Sequence, residues 1–207
     1  MGRGTLITIE GLDGSGKTTL VQGLVEELAR SGSPVQSLRE PGGVRLSERI
    51  RELVKDPALE VDARAEALLY AAARAQLVRE RLEPLLAAGA LVLLDRFVDS
   101  SLAYQGAGRE LGVEQVRAVN ELATGGLRPD RTLLLRIAPA AGRARTDSRA
   151  LHPDRIELEG EGFFARIAAA YEELAQAEPQ RFRTIDAEGT PAQVLRDALR
   201  AIADLLG

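Results

Sequence analysis

The run Gly11-Leu12-Asp13-Gly14-Ser15-Gly16-Lys17-Thr18 reads G-x-x-x-x-G-K-T, and it constrains the fold most because the pattern works only between a strand and a helix. Before it, Leu6-Ile7-Thr8-Ile9 is an apolar, β-branched run of strand length. After it, Leu20, Leu24 and Leu28 recur with helical spacing between Thr19 and Arg30. In such a loop, successive backbone N–H groups and the N-terminus of the next helix make a concave anion site that larger side chains would block. Lys17 is expected to reach the β- and γ-phosphates of a nucleoside triphosphate, and the Thr18 hydroxyl to help hold Mg²⁺. The nucleotide contacts are expected from Gly11, Leu12, Asp13, Gly14, Ser15, Gly16, Lys17, Thr18 and the adjoining Thr19.

Further along, Ser31-Gly32-Ser33-Pro34 breaks the helix and Val35-Gln36-Ser37-Leu38 restarts the chain as a short strand that delivers Arg39-Glu40-Pro41-Gly42-Gly43. Leu46, Ile50, Leu53 and Val54 mark an amphipathic helix stopped at Asp56-Pro57. A long helical run follows over 63–88, bent or interrupted by Pro84 and closed by Gly89. Ala90 to Leu94 is continuously apolar, as a central parallel strand buried on both faces requires, and ends in Asp95-Arg96. A helical segment over 113–123, a strand over 132–137, a helix over 162–177, a strand over 182–185 and a helix over 191–206 complete the chain. Alternation of this kind implies right-handed crossovers and a parallel sheet with helices on both faces. Ligands then gather at the carboxyl ends of the strands. The polar, basic stretch 143–155 reads as a mobile lid, and the 207 residues as one domain.

The formal charge of −4 argues against binding dominated by nucleic acid or a membrane surface. No cysteine is present, which excludes disulfides, thiolate metal sites and a cysteine nucleophile. With His152 as the only histidine, histidine-based catalysis has almost nothing to use. The N-terminus runs straight into the first strand and no apolar stretch approaches ~20 residues, so a cytoplasmic protein is expected.

Five segments in order carry a resemblance over essentially the whole chain. They are the phosphate loop, Arg39-Glu40-Pro41-Gly42-Gly43, the run Leu69 to Gln76, Asp95-Arg96-Phe97 with Ser100 to Gly106, and Asp154-Arg155-Ile156-Glu157. Together they resemble the bacterial thymidylate kinases. The resemblance implies a P-loop nucleoside-monophosphate-kinase fold with a five-stranded parallel sheet, ATP-dependent conversion of dTMP to dTDP with Mg²⁺, and a homodimer.

The resemblance also implies roles. Arg39 and Arg96 match positions that hold the acceptor phosphate, Arg74 one that meets the thymine carbonyl, and Tyr70 one that stacks on the base. Ser101 matches a base-edge position, and Tyr104 and Gln105 positions near sugar and base. Asp13 is set against the acceptor's 3′-hydroxyl, and Asp95 beside Thr18 on the Mg²⁺ side. The loop positions between Gly11 and Gly16 offer no cation, so the transition-state arginine must come from the lid. Arg149 is favoured, then Arg145, with Arg143 on the ATP side. Asp154 and Glu157 stand behind the lid and could orient its arginines or Mg²⁺-bound water.

Plainer roles exist for several of these. Ser100 and Ser101 suit helix caps, Tyr70 a core aromatic, Asp13 a loop-bracing hydrogen bond, and Asp154 an acidic first turn. Other nucleoside or nucleoside-monophosphate kinases, and a non-catalytic ATP-binding switch, share the phosphate loop. The second set of acceptor residues separates the monophosphate-kinase reading from the switch.

Overall fold

β1 (Thr5–Gly11) lies at the centre of a five-stranded, fully parallel sheet in the order β2-β3-β1-β4-β5, with β2 Val35–Arg39, β3 Leu91–Asp95, β4 Arg131–Arg136 and β5 Phe182–Asp186. This computed structural model describes residues 2–32, 34–148 and 154–206. The register brings Arg39, Asp95 and Ile9 abreast, so the carboxyl ends of β2, β3 and β1 form one edge. The strand order reverses beside β1, and that crevice receives the phosphate loop.

Alternation along the strands decides what each face buries. Ile7, Ile9, Leu93 and Leu133 share one face with Leu20, Leu24 and Leu28 of α1 (Lys17–Arg30) and Val194, Ala198 and Ile202 of α9 (Pro191–Ile202). On the other face Leu6, Val92 and Leu94 pack on Leu77, Val78, Leu82 and Leu86. That face also carries Thr8, Glu10 and Thr132, all fully buried. α2 (Arg45–Lys55), α3 (Ala63–Leu77), α6 (Val113–Thr124) and α8 (Glu161–Ala177) complete the layers, α2 on α3 and α3 on α6.

The elements depart from the sequence reading in three places. The run expected as one helix over 63–88 is α3, a π-helical turn Val78–Leu82 and α4 (Glu83–Ala87). Pro84 sits in the first turn of α4, where its missing N–H costs nothing, and the π turn joins the two axes. Ser100 and Ser101, for which a cap was the plainer role, lie inside a helix, α5 (Val98–Ser101), which runs into a π-helical segment Leu102–Gly108. The start of the expected lid is regular, because α7 (Pro139–Asp147) extends through it.

Candidate active site

The phosphate loop bends around its glycines, with Gly16 at φ +92° leading directly into α1. Close packing on α7 fixes the loop from outside. A Cβ at Gly14 would stand 2.1 Å from the Gly142 carbonyl oxygen, and one at Gly142 would stand 2.8 Å from that of Asp13. The base of the expected lid therefore rests on the loop. Lys17 is buried, and its ammonium donates to the carbonyls of Leu12 at 2.8 Å and Gly11 at 3.1 Å. Burial, followed by the Arg96 charge, lowers its pKa to about 8 despite the opposing carboxylates of Asp13 and Asp95.

The Thr18 hydroxyl donates to Asp95 Oδ2 at 3.4 Å, and Asp95 Oδ1 is buried with no hydrogen-bond partner among the described residues. A buried acceptor left open beside a hydroxyl and a phosphate cradle suits a hard divalent cation that takes its other oxygens from phosphates and water. Among the described residues no cluster of three acidic or histidine side chains could hold such an ion by itself. The donor set thus fits Mg²⁺ entering with the nucleotide.

From this loop one cavity of ≈ 640 Å³ extends along the edge of β2 and β3. Lys17, Thr18, Asp13 and Asp95 line its loop end, and Arg39, Tyr70, Arg74, Arg96, Ser101, Tyr104 and Gln105 line the rest. A second set of cationic, aromatic and amide side chains therefore shares one space with the phosphate loop. Asp13 joins the two ends, taking hydrogen bonds from Arg96 Nη2 at 2.7 Å and the Tyr104 hydroxyl at 2.9 Å. Burial alone would raise the Asp13 pKa, but Arg96, Lys17 and the Tyr104 hydroxyl hold it well below the usual carboxylate range.

Arg96 is aimed by a strained backbone. Its φ is +70°, in the left-handed region that non-glycine residues seldom enter. The guanidinium lies 5.0 Å over the Tyr104 ring and also donates to the Gly11 carbonyl at 3.2 Å. Arg39 is mostly exposed, at 57 %, and pairs with Glu48 at 3.2 Å. Arg74 is almost wholly buried and occupied by protein partners. Its Nε donates to Glu40 at 2.7 Å, Nη1 to Ser101 Oγ at 2.9 Å and to Asn120 Oδ1, and Nη2 to the Phe97 carbonyl at 2.9 Å. It thereby ties α3 to the segment that carries Ser101 and Gln105.

The lid residues stand differently. Arg145 donates to the Ala187 carbonyl at 2.9 Å and Arg143 to that of Glu159 at 3.3 Å, so neither faces the cavity. Arg149 and His152 lie outside the described residues. Asp154 and Glu157 brace their own turn. The Asp154 carboxylate accepts from the Ile156 and Glu157 amides at 3.0 Å, and the Glu157 carboxylate accepts from the Asp154 amide at 2.9 Å. Asp154 also pairs with Lys55 at 2.5 Å.

Sequence reasoning missed Arg51, Lys55 and Glu48 of α2, which line the cavity. Their signal was the polar stripe 48, 51, 55 running beside the buried stripe Ser47, Ile50, Val54 on the same helix. It missed the buried carboxylates of Glu40 and Glu66 as well. Glu40 partners Arg74, and its burial drives its pKa up to about 7 against that attraction. Glu66 is fully buried and accepts from Gln105 at 2.8 Å, with Arg109 at 3.1 Å and Arg155 as cationic partners.

Comparison with known proteins gives a consistent likeness. The thymidylate kinase family model matches residues 9–198. Proteins called thymidylate kinase from three bacteria align along nearly their full lengths. That of Deinococcus radiodurans is 49 % identical over 187 residues, covering 90 % of each chain. That of Oenococcus oeni is 46 % identical over 211 residues, 100 % of this chain and 98 % of its own. That of Bacillus velezensis is 44 % identical over 206 residues, 98 % of this chain and 97 % of its own.

Proposed function

Since this chain belongs to the thymidylate kinase family, we propose that it transfers the γ-phosphoryl group of ATP to dTMP, giving ADP and dTDP. The observation that carries this reading is the single cavity in which the phosphate loop and the acceptor side chains meet through Asp13 and Arg96.

Phosphoryl transfer asks for alignment and charge neutralisation more than for covalent help. In this reading the loop amides and Lys17 hold the β- and γ-phosphates at the α1 N-terminus, while Thr18 and Asp95 hold Mg²⁺. Bound there, Mg²⁺ neutralises phosphate charge and orients the nucleotide. Arg96 and Arg39 take the acceptor phosphate. Asp13 receives the 3′-hydroxyl, its two engaged oxygens having further lone pairs to offer. Tyr70 stacks on the base, while Arg74, Ser101, Gln105 and Tyr104 approach the base edge and sugar. Arg74 has its donors committed, so its contribution to the base rests on charge and on a shared hydrogen bond.

Residues 143–155 form the lid, and Arg149 is the arginine assigned to the transition state, with Arg145 next and Arg143 on the ATP side. Arg143 and Arg145 each donate to a backbone carbonyl outside the cavity, and that bond would have to break for either side chain to turn inward. Arg149→Ala should lower turnover at least ~10-fold with little change in either substrate's affinity. An unchanged rate would move the role to Arg145 or Arg143.

Residues 1–207 act as one catalytic domain, and a reaction that consumes ATP suits the cytoplasm. No helix of the described residues is long and apolar enough to cross a membrane. A homodimer through α2, α3 and α6 is supported by the exposed leucines on these adjoining helices, Leu46, Leu53, Leu68 and Leu122.

The test is a coupled assay of ADP release with Mg·ATP against dTMP, dUMP, dCMP, dGMP, AMP and thymidine. Strong preference for dTMP is expected. Use of thymidine but not dTMP, or ADP release indifferent to every acceptor, would sink the assignment.

A further inference from the structure

Glu10 is the last residue before the phosphate loop, and it is fully buried. A carboxylate in a core is costly unless its lone pairs are taken. Here they are. Oε1 accepts from the Phe97 amide at 2.7 Å and the Ser100 amide at 3.3 Å, and Oε2 accepts from Ser100 Oγ at 2.6 Å and the Tyr171 hydroxyl at 2.8 Å. The two amides belong to the first turn of the helix that begins with α5, whose own N-cap residue, Phe97, supplies no side-chain bond. A residue of β1 therefore does the work of that cap.

The consequence reaches Arg96. Its backbone, at φ +70°, directly precedes the amide that Glu10 holds, and its own amide donates to the Ile9 carbonyl at 3.0 Å. Its Nη1 donates to Ser100 Oγ at 3.0 Å, the hydroxyl that donates onward to Glu10. One carboxylate thus fixes both the strained turn that aims Arg96 and a hydroxyl that the guanidinium rests on. Arg181 and Asp99 pair 2.6 Å apart beyond Thr132 and hold the far side of α5, so Asp99 is engaged away from Arg96. Asp13, on the cavity side, is the only carboxylate that Arg96 bonds directly among the described residues.

We infer that Glu10 is a positioning residue for the acceptor half of the reaction: it holds Arg96 against Asp13 and the phosphate loop, and touches neither substrate. This rests on the proposed function, in which Arg96 takes the acceptor phosphate. Glutamine at this position keeps the geometry without the charge. Its carbonyl oxygen accepts from the two amides, and its NH₂ donates to Ser100 Oγ and to the Tyr171 oxygen, since both hydroxyls can rotate to accept.

The experiment is a kinetic double-mutant cycle on the full chain. Wild-type turnover with dTMP tests the proposed function itself, independently of any variant. Glu10→Ala should lower kcat/KM for dTMP at least ~10-fold and leave KM for ATP within about 2-fold. Glu10→Gln should recover most of the loss. In the Arg96→Ala background, Glu10→Ala should add almost nothing, because a residue that acts through Arg96 has nothing left to position. If Glu10→Ala does not fold, Ser100→Ala breaks the same connection and should show the same split and the same lack of additivity with Arg96→Ala. Losses that multiply in the double variant, equal losses for both substrates, or Glu10→Gln as impaired as Glu10→Ala would each overturn the inference.

Discussion

Arg74 and Arg96 share a side chain and a cavity, and their surroundings give them different work. With all three of its nitrogens committed to Glu40, Ser101, Asn120 and Phe97, Arg74 is a structural tie that reaches the cavity. Arg96 keeps its bonds along the cavity wall, and its partners Asp13 and Tyr104 are themselves assigned to substrate. Arg96→Ala is therefore expected to raise KM for dTMP sharply with ATP binding near normal, as steady-state kinetics with each substrate varied in turn would read. Equal weakening of both would remove the acceptor role. Lys17 carries a pH dependence. Its ammonium titrates near 8 in the free protein, so it is charged below that pH and neutral above it. ATP affinity, followed by fluorescence titration, should fall as pH rises through about 8, with the bound phosphates moving the midpoint upward by linkage. These chemical types were legible in the sequence because the loop pattern and the two arginine-bearing segments specify them. The separation of Arg74 from Arg96 was not, since it depends on Glu40 and Asn120, which lie 34 and 46 positions from Arg74.

Among the elements, β1 best shows how far a local pattern reaches. Its alternation of Ile7 and Ile9 with Thr8 and Glu10 suggests one apolar and one wet face. The sheet instead covers both, and the Thr8 hydroxyl meets that of Thr132 at 2.8 Å while Glu10 caps a helix from beneath. The segment 98–108 escaped the sequence reading for a similar reason. Its serines, glycines and π turn do not show helical periodicity, and its first turn is capped from another strand. α9 is the opposite case, wholly local. Thr190 and Gln193 form a reciprocal capping box around Pro191, the first residue of the helix. Thr190→Ala should cost about 1 kcal/mol, seen as a lower urea midpoint at unchanged m, with catalytic constants unaffected because α9 lies on α1 and the sheet, away from the cavity.

At the scale of the whole molecule, the doubly covered sheet turns one edge of three strands into a site. The face formed by α2, α3 and α6 is left with leucines in solvent, Leu122 being 87 % exposed. Scattered exposed leucines are ordinary, but four on three helices that pack in series suit a second copy of the chain. Leu122→Glu should shift the sedimentation coefficient from dimer to monomer. A wild-type chain that sediments as a monomer would remove the dimer from the reading. Because α2 and α3 also carry Arg51, Tyr70 and Arg74, loosening this face should raise KM for dTMP before it affects ATP.

By itself the sequence determined the alternating β/α order, the parallel sheet, the phosphate loop and the residue types at the strand ends, because each depends on neighbours within a few positions or on a motif. Tertiary structure decided the rest. It set Glu10 under Arg96, Glu40 against Arg74, Gly14 on Gly142, and α2's Arg51 and Lys55 into the cavity wall. Those partners come from different elements, and a buried charge acquires its role only when packing chooses which groups surround it.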